Sequence, residues 1–147
     1  MTNHDFQQLV KRGTAAAEQR NTLEALIHLE SAALLDSIPV LNSYLGYCLA
    51  VERRQYKKGA SLCSNALKEE PGKAIHYLNL GRVLLAAGQR AQAVKTLRQG
   101  LKLGGNPHIV EELKRLGIRK QLVFSSLTRD HPLNKHVGRL FNRLGMR

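Results

Sequence analysis

Four sets of residues in this chain recur at a step of 34: Ala25, Gly59 and Ala93; Leu29, Cys63 and Leu97; Ala32, Ala66 and Gly100; Ala33, Leu67 and Leu101. A fixed period of this length is the mark of stacked helix pairs, in which no unit buries its apolar face alone and each neighbour supplies part of the core. Three units satisfy the minimum for a stable stack and suit a single domain of this size. Such stacks present long concave surfaces, so the period points toward binding rather than chemistry.

The third unit, residues 74–107, places the pattern on structure. Tyr77, Leu80, Gly81 and Leu84 share one helical face, Gly88 interrupts it, and Ala93, Leu97, Gly100 and Leu101 resume it. The reading is helix, turn, helix. Glycine inside a helix costs about 1 kcal/mol against alanine, so Gly81 implies close approach of the partner helix, and Ala93 and Gly100 are small for the same reason.

Tyr77, Leu80-Gly81, Leu84, Ala93 and Leu97 resemble the tetratricopeptide repeat pattern of a large residue, Leu-Gly, then an alanine and a bulky residue in the second helix. Residues 40–73 are similar, through Leu45-Gly46, Tyr56, Gly59, Cys63, Ala66 and the helix-ending Pro71. There Gly46 lies one residue early and Gly59 replaces alanine, which predicts a turn around Arg53 to Gln55 that is one residue longer. Residues 6–39 carry Leu9, Gly13, Ala25, Leu29 and Ala32, with Arg12 where leucine is typical. The resemblance implies an all-α, right-handed superhelical solenoid of antiparallel helix pairs.

Beyond the repeats, Gly104-Gly105-Asn106-Pro107 ends one helix and caps another. A capping helix is expected over 107–117, with Ile109, Leu113 and Leu116 on one face and Gly117 as its stop, so the repeats and cap form a domain over 1–117. Residues 118–147 form a basic segment: an extended stretch around Leu122, Val123 and Phe124, then a short amphipathic helix over about 132–144. Its stripe is Leu133, Val137, Leu140, Phe141 and Leu144, with Lys135, Arg139 and Arg143 off it. That helix either docks, on the repeats or on a second copy to give a homo-oligomer, or serves as a detachable basic arm.

Charge bears on the partner. The net charge is +12; residues 1–107 hold 14 Lys and Arg against 8 Asp and Glu, and residues 108–147 hold 9 against 3, so the tail is the denser in charge. Such a balance favours an acidic peptide, nucleic acid or an anionic membrane surface. No run of 18 apolar residues occurs, and the start carries no secretory pattern, so a cytoplasmic location is expected. Cys48 and Cys63 have neither metal nor redox spacing and are expected to be buried free thiols.

The resemblance implies a concave groove lined by the first helix of each pair. The residues just before each Leu-Gly position would be Lys11, Tyr44 and Asn79, and those just after each glycine Thr14, Tyr47 and Arg82. Lysine and arginine suit carboxylates, asparagine suits an extended backbone, and tyrosine gives flat contact area. The expected guest is an extended or helical, acidic protein segment. The alternative is a nucleic-acid or membrane-surface binder using Lys135, Arg139 and Arg143. No Walker, dinucleotide, nucleophile-elbow or zinc signature appears, so no enzyme activity, cofactor or metal is expected. His28 and His76 are expected on ordinary surface-facing or flank positions, and Glu69-Glu70 as a solvated pair.

Overall fold

The computed structural model describes residues 2–117. They form α1 (Asn3–Glu18), α2 (Thr22–Ala33), α3 (Pro39–Arg53), α4 (Tyr56–Glu69), α5 (Ala74–Ala86), α6 (Arg90–Leu101) and α7 (Pro107–Arg115). Contacts divide the chain into one unit from Met1 to Ile109 and another that begins at Val110. The expected basic arm, with Lys135, Arg139 and Arg143, lies outside the described residues.

Local signals start α1, α2, α3 and α7. The Asp5 carboxylate accepts the Thr2 backbone N–H at 2.7 Å at the head of α1, and Asn21 accepts the Glu24 N–H at the head of α2. Pro39 opens α3, and Asn106 accepts the His108 and Ile109 N–H groups at 3.0 and 3.2 Å to open α7 at Pro107.

Within the first unit α1 packs on α2, α3 on α4 and α5 on α6, and α3 also packs on α2, α5 and α1. The period thus becomes three helix hairpins, the all-helical solenoid that the repeat calls for. α3 sits at the centre, and every residue from Ser43 to Ala50 is buried. Leu29, Leu41, Leu78, Leu97 and Ile109 fill the core completely.

The close approach expected at Gly81 is present: a Cβ there would meet the Leu97 side chain at 2.6 Å, as one on Gly13 would meet Leu29. In the middle hairpin a Cβ on Gly46, one residue early, would meet the Gly59 carbonyl oxygen at 2.6 Å first and then Cys63, the equivalent of Leu29 and Leu97, at 3.1 Å. The predicted longer turn is corrected here. Arg20, Arg54 and Gly88, each with positive φ, keep the 34-residue step, and only Arg54 and Gln55 separate α3 from α4. The extra residue is absorbed by the last turn of α3, where the Gln55 N–H reaches the Leu49 carbonyl six residues back. In the other hairpins Asn21 and Gln89 reach only five back, to Ala16 and Leu84. A helix end takes the insertion because its last carbonyls have no intrahelical partner to lose.

Cys48 and Cys63 are buried and unpaired with each other. Burial, then the nearby Glu52 charge, pushes the Cys48 thiol up to about 12, and burial pushes Cys63 higher still. Since the thiolate is the reactive form, neither is expected to react with a disulfide reagent in native buffer, and both should react fully in guanidinium. Thiol titration checks this.

Candidate interaction site

Four of the six residues read as groove lining meet on the inner helices. On α5, His76, Asn79 and Arg82 recur every three residues and share a face; on α3, Ser43, Tyr44 and Tyr47 oppose them. The Arg82 guanidinium donates to both oxygens of Glu18, at 3.2 and 3.1 Å, and to Asn79 Oδ1 at 3.2 Å. It also lies 4.9 Å over the Tyr47 ring, a cation–π contact. The Tyr44 hydroxyl donates to Glu18 at 2.5 Å, and His108 Nδ1 lies 3.0 Å from the second Glu18 oxygen.

The chain of contacts continues from Asn79, whose amide donates to Ser43 Oγ at 3.1 Å, to His76 beside that hydroxyl at 3.0 Å. His76 Nε2 lies 2.9 Å from Glu70, which also pairs with Lys73 at 2.6 Å. One polar path therefore joins all three hairpins. No buried side-chain polar atom among the described residues lacks a partner, as a network in a low-dielectric interior requires.

Tyr44, Tyr47, Asn79 and Arg82 are buried, Asn79 completely. Lys11 is exposed and Thr14 half-buried on α1; the Thr14 hydroxyl donates to the Lys11 carbonyl, and neither joins the network. Two readings are corrected. His76 is fully buried rather than surface-facing, because Ser43 and Glu70 satisfy both ring nitrogens. Glu70 is tied to Lys73 and His76 rather than solvated beside Glu69, and those hydrogen bonds, Lys73 first, hold its carboxyl below the ordinary range. Glu18 was not foreseen. Its one signal in sequence is that Glu52 stands 34 residues later, and Glu52 likewise takes a hydrogen bond, from Thr22.

Glu18 is the centre of this arrangement. Burial pushes its carboxyl up, but the Arg82 hydrogen bonds and charge, the Tyr44 hydroxyl and His108 together outweigh that and hold it below the ordinary value near 4.5. Because the folded value is the lower one, the stabilisation is present above pH 4.5 and is lost as pH falls through the folded value. A Glu18→Gln variant is therefore expected to melt below wild type at neutral pH, with the gap closing as the pH drops under 4.5. Thermal scans across pH measure it.

The Glu18 carboxylate is thus held from three sides on the inner face. Among the described residues no cluster of His, Cys, Asp or Glu is placed to hold a metal ion. Residues 50–114, which span the end of α3 through most of α7, match the tetratricopeptide repeat family model. Residues 50–114 carry tetratricopeptide repeats. Among solved structures the chain is similar to a mutant O-GlcNAc transferase of Thermobaculum terrenum, with a TM-score of 0.57 and 24% identity over 72% of this chain. That likeness is one of fold. The match covers 21% of the transferase chain, so this chain spans about a fifth of its length. No curated protein matches the chain. By the 34-residue step, α1, α3 and α5 are the first helices of the three hairpins, and the Glu18 carboxylate lies where they meet. Among the described residues no helix is long and apolar enough to cross a membrane.

Proposed function

We propose that this tetratricopeptide array is a non-catalytic adaptor, cytoplasmic in location, that binds an acidic segment of another protein on its inner face. Tetratricopeptide repeats mediate protein–protein interaction as a family, and the acidic guest is the finer step. The single observation that supports it is the Glu18 seat: Arg82, Tyr44 and His108 already hold a carboxylate, and Asn79 fixes the arginine. Groups that bind an internal carboxylate bind an external one by the same bidentate and charge-assisted geometry. Glu18 is 19% exposed while Arg82 is 5% exposed, so a guest carboxylate approaches from the Glu18 side and competes for the arginine. Lys11 and Thr14 extend the lining along α1, and Tyr44 and Tyr47 supply its aromatic walls.

The test is affinity capture from native extract at moderate salt with wild type beside Lys11→Glu. Lys11 is exposed and its ammonium has no partner among the described residues, so the reversal is expected to leave the fold intact by circular dichroism and to deplete a discrete protein from the captured set. An identical captured set for both proteins would contradict the groove reading.

A further inference from the structure

The outer helices of the array carry a second surface, separate from the inner seat. α4 and α6 both pack on α5, and their exposed residues fall at equivalent positions of successive repeats. Lys57, Lys58 and Lys68 on α4, Lys95 and Arg98 on α6, and Lys102 at its end are all exposed and form no ion pair among the described residues. Lys68 and Lys102 are 34 residues apart, the same repeat position twice. The two helices hold one carboxylate, Glu69, and the nearby Glu70 is occupied by Lys73 and His76.

The contrast with α2 shows that this is not a property of outer helices in general. At the positions of Gln92, Lys95, Arg98 and Lys102, α2 has Glu24, Ile27, Glu30 and Leu34. Ile27 and Leu34 are 59% and 88% exposed, and Glu30 is held by Arg53 at 2.6 Å. The sign of the face therefore reverses between the first repeat and the next two. Like charges gathered on one face repel, and that self-repulsion is relieved by a polyanion.

We infer that the outer face of α4 and α6 binds the phosphate backbone of a nucleic-acid duplex, without reading base sequence. Between the cations stand Ser61, Ser64, Asn65, Gln92 and Gln99, hydroxyls and amides that donate to phosphate oxygens as lysine and arginine do. No aromatic residue on the face is exposed, so the stacking platform that single strands require is missing. Leu103, beside Lys102, is the one large apolar residue exposed near this face among the described residues, too little to seat a helix in a bilayer. An acidic protein segment would call for buried anchors at its core, which this face does not offer.

The experiment is fluorescence anisotropy with the full chain and a labelled mixed-sequence DNA duplex, titrated across salt. The reversal variant Lys68→Glu/Arg98→Glu/Lys102→Glu is run beside wild type, and Lys68→Gln/Lys95→Gln/Lys102→Gln replaces it should the reversal disturb the circular dichroism spectrum. Wild type is expected to bind with log K falling against log salt at a slope as steep as about −5, the value for six phosphate contacts. Two unrelated duplex sequences should bind alike, and the folded variant should lose roughly tenfold or more at equal salt. Unchanged affinity in the folded variant would overturn the inference, since the tail would then carry the binding. So would polyglutamate that competes as well as duplex, or phosphatidylserine vesicles that bind in its place.

Discussion

Replacing Arg82 by alanine is expected to destabilise the protein by roughly 3 kcal/mol and to lower its melting midpoint by about 10 °C. The guanidinium touches both Glu18 oxygens and Asn79, and it lies across the Tyr47 ring. Its loss leaves a half-buried carboxylate with Tyr44 and His108 alone and strands the Asn79 carbonyl. Breaking a buried pair by removing one partner costs more than the pair contributes, because the remaining charge is uncompensated. Partial exposure of Glu18 keeps the figure at the low end of that range. The same reasoning predicts that Glu18→Gln/Arg82→Ala is less destabilised than Arg82→Ala alone, since a neutral amide has no charge to strand. Denaturant titration of the four proteins in the cycle reads the coupling directly. Strict additivity of the two single substitutions would show that the pair does no more than fill space.

The second large effect concerns the middle hairpin. A Cβ on Gly59 would stand 2.5 Å from the Gly46 carbonyl oxygen, and one on Gly46 would stand 2.6 Å from the Gly59 carbonyl oxygen. In both cases the obstacle is backbone. At Gly13 and Gly81 the obstacle is instead the end of a leucine side chain, which turns aside at lower cost. Gly59→Val adds two further carbons into this contact and is expected to cost about 3 kcal/mol or more, parting α3 from α4. Gly81→Ala should cost distinctly less, because Leu97 repacks. Gly72, with open space around its Cβ position, is the neutral control. Thermal melts of the three variants give the ranking, and a Gly59→Val protein as stable as the Gly72→Ala protein would refute the close backbone contact.

Much of the fold was legible because the period is carried by residues whose size is dictated by packing. Gly13, Gly81, Leu29 and Leu97 face one another across hairpins, so the step of 34 follows from geometry that each repeat must satisfy. The offset of Gly46 was legible too, but its remedy was not: periodicity shows that one residue is extra, not whether a helix end or a turn absorbs it. The site was legible only in part. Tyr44, Tyr47, Asn79 and Arg82, which join the polar network, stand out through their place beside the Leu-Gly positions, whereas Glu18 lies 64 residues from Arg82 and no local pattern joins them. His76 was misjudged because a histidine at a helix flank reads as exposed. The clue to its burial was the three-residue spacing with Asn79 and Arg82 in a helix otherwise apolar on nearly every side.

The central claim, that the inner face is a seat for a guest carboxylate, is tested most directly by fluorescence anisotropy with a glutamate-rich peptide and its glutamine twin. Each is titrated into wild type and into Glu18→Gln, which removes the internal competitor. The account predicts that the glutamate peptide binds in preference to its twin, and that Glu18→Gln binds it more tightly than wild type does. Equal binding of the two peptides, or no gain in the variant, would contradict it.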